Sequence, residues 1–125
     1  MTEATLGYVS GLMHSIGIPY NFMRWEGELP EDYYFVGQYN EHEMMTEEED
    51  GMQDATFILR GYTKRRWIDL LQAKERIRKL FPQTAILADG TGVAVFYSTG
   101  NPVPTIDAEE KSVKIDLLIK EWKVK

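Results

Sequence analysis

The chain has 125 residues, 43% of them hydrophobic, with a formal net charge of −6, which fits one globular domain spanning residues 1–125. It contains no cysteine, which excludes disulfides, thiolate zinc sites and cysteine nucleophiles. The acidic balance excludes the overall basic field of a nucleic-acid binder, no apolar run approaches the ~20 residues that cross a bilayer, and the acid at Glu3 argues against a secretory leader, so a soluble protein with no membrane partner is expected.

Taken in chain order, the first predicted element is an amphipathic helix over Glu3 to Ile16. Leu6, Val9, Met13 and Ile16 recur at three- and four-residue steps, with Leu12 beside them. Thr2 is its expected N-cap, and Gly17 followed by Pro19 its stop. Two aromatic-rich runs, Tyr20 to Glu26 and Tyr33 to Tyr39, flank a Gly-Glu-Leu-Pro turn and read as strands. Ala55 to Tyr62 reads as a third, paired antiparallel to the second. The acidic stretch between them would then cap an extended hairpin.

Thr63 is the expected N-cap of a second helix, Arg65 to Phe81, ended by Pro82. Trp67, Leu70, Leu71, Ile77, Leu80 and Phe81 form its apolar stripe, and Glu75 can pair with Lys79 at i,i+4. Thr84 to Leu87 and Val93 to Tyr97 flank Asp89-Gly90, a hairpin signal. After a Gly-Asn-Pro-Val-Pro loop, a last strand runs from Ser112 to about Lys123. Its alternation of Val113, Ile115, Leu117 and Ile119 changes phase at Trp122 and Val124, which predicts a bulge or an emerging end. The fold class implied is α+β: a mainly antiparallel sheet with two helices on one face and an extended acidic hairpin or loop.

No motif carries a recognisable catalytic site, cofactor site or metal site. Asp89-Gly90-Thr91-Gly92 lacks the Asp-Thr-Gly order and the second carboxylate of an aspartic-protease loop. His14 sits at a helix end, and His42 lies in Glu41-His42-Glu43 without the second histidine of a metalloprotease helix. A small hydrolase using Glu41, His42 or Asp89 would need those groups to converge in a pocket.

The charges segregate instead. Glu41 to Asp54 is acidic, with Glu47, Glu48, Glu49 and Asp50 consecutive and Met44, Met45 and Met52 among the acids. Flexible thioethers adapt to partner surfaces. Lys64, Arg65 and Arg66 open the second helix, against its dipole. One acidic and one basic patch on one chain suit head-to-tail self-association, which closes into a ring when the rotation permits. A rival reading is an acidic binding or inhibitor module that mimics nucleic acid through the 41–54 loop.

The layout resembles the tail-terminator and tail-to-head joining proteins of long-tailed bacteriophages and prophages. The segments that carry the likeness are Ile18-Pro19-Tyr20-Asn21-Phe22, Tyr33-Tyr34-Phe35-Val36-Gly37, Thr56-Phe57-Ile58-Leu59-Arg60-Gly61-Tyr62-Thr63, the helix from Trp67, and Lys120-Glu121-Trp122-Lys123-Val124. The resemblance implies a non-enzymatic virion protein, made in the bacterial host cytoplasm. It would form a hexameric ring that caps the tail tube, binds the tail-tube protein and the head connector, and passes DNA through its lumen without reading sequence. Glu47, Glu48, Glu49 and Asp50 would then face a neighbour or the lumen, and Lys64, Arg65 and Arg66 a partner. Another head–tail connector or minor capsid component has a similar layout.

Overall fold

The computed structural model describes residues 1–41, 53–104 and 109–123. Helix α1 (Glu3–Ser15) is followed by strands β1 (Tyr20–Phe22), β2 (Tyr34–Glu41) and β3 (Gln53–Thr63), helix α2 (Trp67–Leu80), and strands β4 (Gln83–Ile86), β5 (Thr91–Val103) and β6 (Lys111–Lys123). The strands form one six-stranded sheet in the order β1-β2-β3-β6-β5-β4. Every pairing is antiparallel except β1 with β2. The α+β class expected from the sequence is the class observed.

Local chemistry sets the helix ends. The Thr2 hydroxyl accepts the Thr5 N–H at 3.1 Å, as an N-cap should. At the other end the Ile18 N–H reaches Met13 O and the Gly17 N–H reaches His14 O, both at 3.0 Å. This is a Schellman closure, which requires the left-handed φ of +71° that Gly17 adopts. Thr63 does not cap α2. Its hydroxyl accepts the Arg65 N–H at 3.0 Å and donates to Asp32 O at 2.5 Å, pinning the end of β3 to the start of β2. The cap position falls on Arg66, without a side-chain cap.

Parity along the strands defines the layers. Cross-strand pairs Phe35–Gly61, Leu59–Ile115, Phe57–Leu117, Ala55–Ile119 and Ile119–Val95 put one set of side chains on one face. The buried helix residues Val9, Met13, Leu70, Ala73 and Ile77 belong to the same core cluster, so both helices cover that face. Fully buried Ile, Leu or Phe side chains contribute roughly 1.5–3 kcal/mol each, and Phe35, Phe57, Leu59, Leu70, Ile77, Ile115, Leu117 and Ile119 are all at most 2% exposed. Gly61 makes room for this packing: a Cβ there would fall 2.4 Å from Phe35 Cε1.

Four local expectations are corrected. β1 stops at Phe22 instead of Glu26, because Met23 turns into the left-handed region at φ 70° and its N–H bonds Gly37 O. Glu75 pairs with Arg78, at 2.9 Å, and not with Lys79. β5 runs on through Gly100-Asn101-Pro102-Val103, paired with β6, where a loop was expected. The irregularity lies in β5, between Tyr97 and Thr99, and not in β6. β6 keeps its phase because Glu121, not Trp122, continues the core face: Glu121 is 7% exposed and accepts the Thr5 hydroxyl at 2.6 Å. The Thr2 N–H lies 3.3 Å from the same carboxylate oxygen, so the polar residue is buried with its acceptors in use.

Candidate assembly surface

The basic residues singled out in the sequence lie together at the entry to α2. Lys64, Arg65 and Arg66 are all exposed. Arg65 spans Glu31 at 3.5 Å and Asp32 at 3.2 Å, and Arg66 meets Asp69 at 3.3 Å. Exposed pairs of this kind contribute about 0–1 kcal/mol, so a neighbour's carboxylates can replace them at little cost. Further along α2, Arg76 donates to Ile16 O at 2.9 Å and to the Tyr33 hydroxyl, tying the helix to the end of α1 and the start of β2. Between them lies an open groove of about 700 Å³, with Tyr33, Ile68, Leu71 and Ala73 among the apolar lining and Arg65, Arg66, Arg76 and Lys79 as the cations. The acidic candidates Glu47, Glu48, Glu49 and Asp50, together with His42, lie outside the described residues.

The candidate catalytic groups are not brought together. His14 is exposed at the end of α1, edge-on to Tyr20 of β1. Asp89 sits in the β4–β5 turn, where its Oδ1 accepts the Thr91 N–H at 2.9 Å. That hydrogen bond holds its carboxyl below the usual range. β1 and β4 are the two opposite edges of the sheet. Among the described residues no three His, Asp or Glu side chains group as metal ligands.

What the sequence reading missed is the second face of the sheet. Neither helix lies over it, and it mixes apolar side chains with charged ones such as Asp54, Arg60, Lys114, Asp116 and Lys120. The parity opposite to the core carries Ile58 of β3, Ala94 and Phe96 of β5, Leu118 and Trp122 of β6, and Ile86 of β4. Ile86 is 69% and Phe96 39% exposed. A Cβ at Gly92 would fall 2.2 Å from Trp122 Cε2, so the indole lies against the bare backbone of β5. At the β2 side, Trp25 packs on Tyr34 with ring centroids 5.4 Å apart, and Tyr34 stacks on Tyr62 at 5.2 Å. Off-phase apolar residues in β3, β5 and β6 were the available signal. Lys114, Asp116 and Lys120 between them made the strands look half-solvated.

No family model and no curated protein matches the chain. Among solved structures, a chain whose name carries no functional description has a similar fold, with a TM-score of 0.65 and 14% identity, over 93% of this chain and 88% of that one. At that identity the likeness concerns the fold alone.

Proposed function

We propose that this protein is a structural subunit that self-assembles into a ring and, as its resemblance to tail-terminator proteins suggests, caps a bacteriophage tail tube and joins it to the head. The observation that carries the assembly reading is the uncovered sheet face. Six strands are covered by helices on one side only, and the other side exposes Ile86 and Phe96, with Leu118 and Trp122 half-buried on the same face. Exposed apolar groups that adjoin in this way mark contact surfaces. An open, charged helix groove on the opposite layer supplies a second surface, and two unlike surfaces on one chain are what a heterologous ring uses.

On this reading the partners are further copies of the chain, a tail-tube protein and a head connector, with DNA crossing the lumen unread. Sedimentation velocity across protein and salt concentrations tests the assembly, and negative-stain microscopy with purified tail tubes tests its station. Rings alone, or one ring at the end of each tube, support the reading. A monomer at every concentration that leaves tube ends bare refutes it. A monomer that instead captures a basic protein, with affinity falling steeply in salt, favours the acidic binding module.

A further inference from the structure

The ring needs a contact, and two surfaces at opposite edges of the sheet are complementary. The first lies on the open face toward β4. It consists of Ile86, Phe96, Leu118 and Trp122, with Lys120 in the row between the Phe96–Leu118 and Gly92–Trp122 pairs and opposite Asp54 of β3. Lys120 makes no ion pair with a described residue.

The second is the loop from Met23 to Asp32, which runs beside the β1–β2 edge. Met23 is 62% and Leu29 53% exposed, and Trp25 lies on the open-face side against Tyr34. The loop has one arginine, Arg24, against the four acids Glu26, Glu28, Glu31 and Asp32. Arg24 meets Glu26 at 3.6 Å and Arg65 takes up Glu31 and Asp32, which leaves Glu28 without an ion pair among the described residues. The loop is also shaped: the Trp25 indole N–H donates to Glu28 O at 2.9 Å, closing the turn that presents Leu29.

The first surface is apolar with the Lys120 cation between its two rows; the second is apolar with surplus carboxylate. β1 and β4 are five strand spacings apart, about 24 Å, on opposite flanks of the molecule. Unlike surfaces on opposite flanks can repeat head to tail, whereas a reciprocal pairing of the same two surfaces across a two-fold axis would close at a dimer. We infer that the 23–32 loop of one copy docks on the Ile86–Phe96–Trp122 patch of the next. This inference rests on the self-assembly reading and names its contact.

The absence of cysteine makes a direct test possible. Leu29→Cys and Ile86→Cys, both at exposed positions, are made singly and together, with folding checked by circular dichroism. Under mild oxidation the double variant is expected to give a ladder of disulfide-linked multimers on non-reducing gels. An equimolar mixture of the two single variants should stop at dimer, and either single variant alone should stay monomeric. In parallel, Lys120→Glu and the pair Glu26→Lys with Glu28→Lys should each weaken self-association at least tenfold, and mixing the two should restore it.

Cross-linking of Ile86→Cys with itself, or a double variant that stops at dimer, would mean a two-fold contact and overturn the inference. So would oligomers of the double variant, confirmed by sedimentation, that do not cross-link; in that case the ring survives and only this contact fails. A wild-type chain that remains monomeric and leaves tail-tube ends bare, with no ladder from the double variant, would overturn both.

Discussion

Gly61→Ala is the substitution whose outcome the packing decides most sharply. Gly61 faces the core opposite Phe35 of β2, and its added Cβ would fall 2.4 Å from Cε1 and 2.6 Å from Cζ of that ring. Phe35 is fully buried and edge-on to Tyr33, so it has no free volume to move into. Two effects oppose each other. Alanine narrows the unfolded ensemble, worth about 0.4–1 kcal/mol in favour of folding. Overpacking a dense core costs about 1–3 kcal/mol. Overpacking wins, leaving a net loss of about 1–2 kcal/mol. For 125 residues the unfolding entropy is roughly 0.26 kcal/mol/K, so Tm should fall by about 4–8 °C. Thermal and urea melts followed by circular dichroism measure it. Phe35→Leu makes the cause explicit: in the double variant the penalty of Gly61→Ala should shrink by at least ~1 kcal/mol. A Gly61→Ala protein that melts at or above the wild-type temperature, or a cycle that is simply additive, would refute the reasoning.

Tyr20→Phe should be neutral or stabilising by up to ~1 kcal/mol in urea melts, because the buried Tyr20 hydroxyl has no hydrogen-bond partner among the described residues; a loss above ~1 kcal/mol would reveal a partner. Burial pushes the same phenol well above its ordinary range. Its contribution is thus complete below about pH 10, where the unfolded tyrosine stays neutral, and is lost as pH rises further. Tyr20→Phe should flatten that alkaline limb. Glu121→Leu should cost about 1–3 kcal/mol by removing the acceptor shared by the buried Thr5 hydroxyl and the Thr2 N–H. Adding Thr5→Val should recover most of it, and an uncoupled cycle would show that the pair is unimportant. The Asp89 carboxyl is held low by the Thr91 N–H, so its stabilising effect is present above the ordinary carboxylate range and lost as pH falls through the depressed value. Asp89→Ala should lower the urea midpoint at pH 7 and differ less from wild type at pH 3; an equal gap at both would contradict this.

The strands and helices were legible because hydrophobic period and turn chemistry agreed. Thr2, Gly17 and Asp89-Gly90 each performed the local function their residue types predict. The misreadings came where tertiary bonding overrode a local rule. Thr63 has the right residue type for an N-cap, but Asp32 O and the Arg65 N–H occupy its hydroxyl. Pro102 suggested a loop, yet β5 stays paired with β6 around it, with Pro102 opposite Val113. Glu121 looked like a surface acid, so the core phase was assigned to Trp122. The carboxylate is instead on the inside because Thr5 and Thr2 come to it from the far end of the sequence. No window of neighbouring residues contains that information.

The same limit explains why charge was visible and the open-face patch was not. Lys64, Arg65 and Arg66 are adjacent in sequence and remain adjacent in space, so a reader of the chain finds them at once. The open-face patch draws Ile86, Phe96, Leu118 and Trp122 from three strands, and its members share a face only after β4, β5 and β6 pair. The internal ion pairs of Arg65 and Arg66 then change the weight of the two surfaces. A neighbour that engages the arginines must displace Glu31, Asp32 and Asp69, exchanging one exposed pair for another for little net gain. A neighbour that covers Ile86 and Phe96 removes apolar area from water at roughly 25 cal/mol per Å² with nothing to displace. On the proposed self-assembly, the association energy therefore resides on the open sheet face, and the charges around it select which edge of the next copy arrives there.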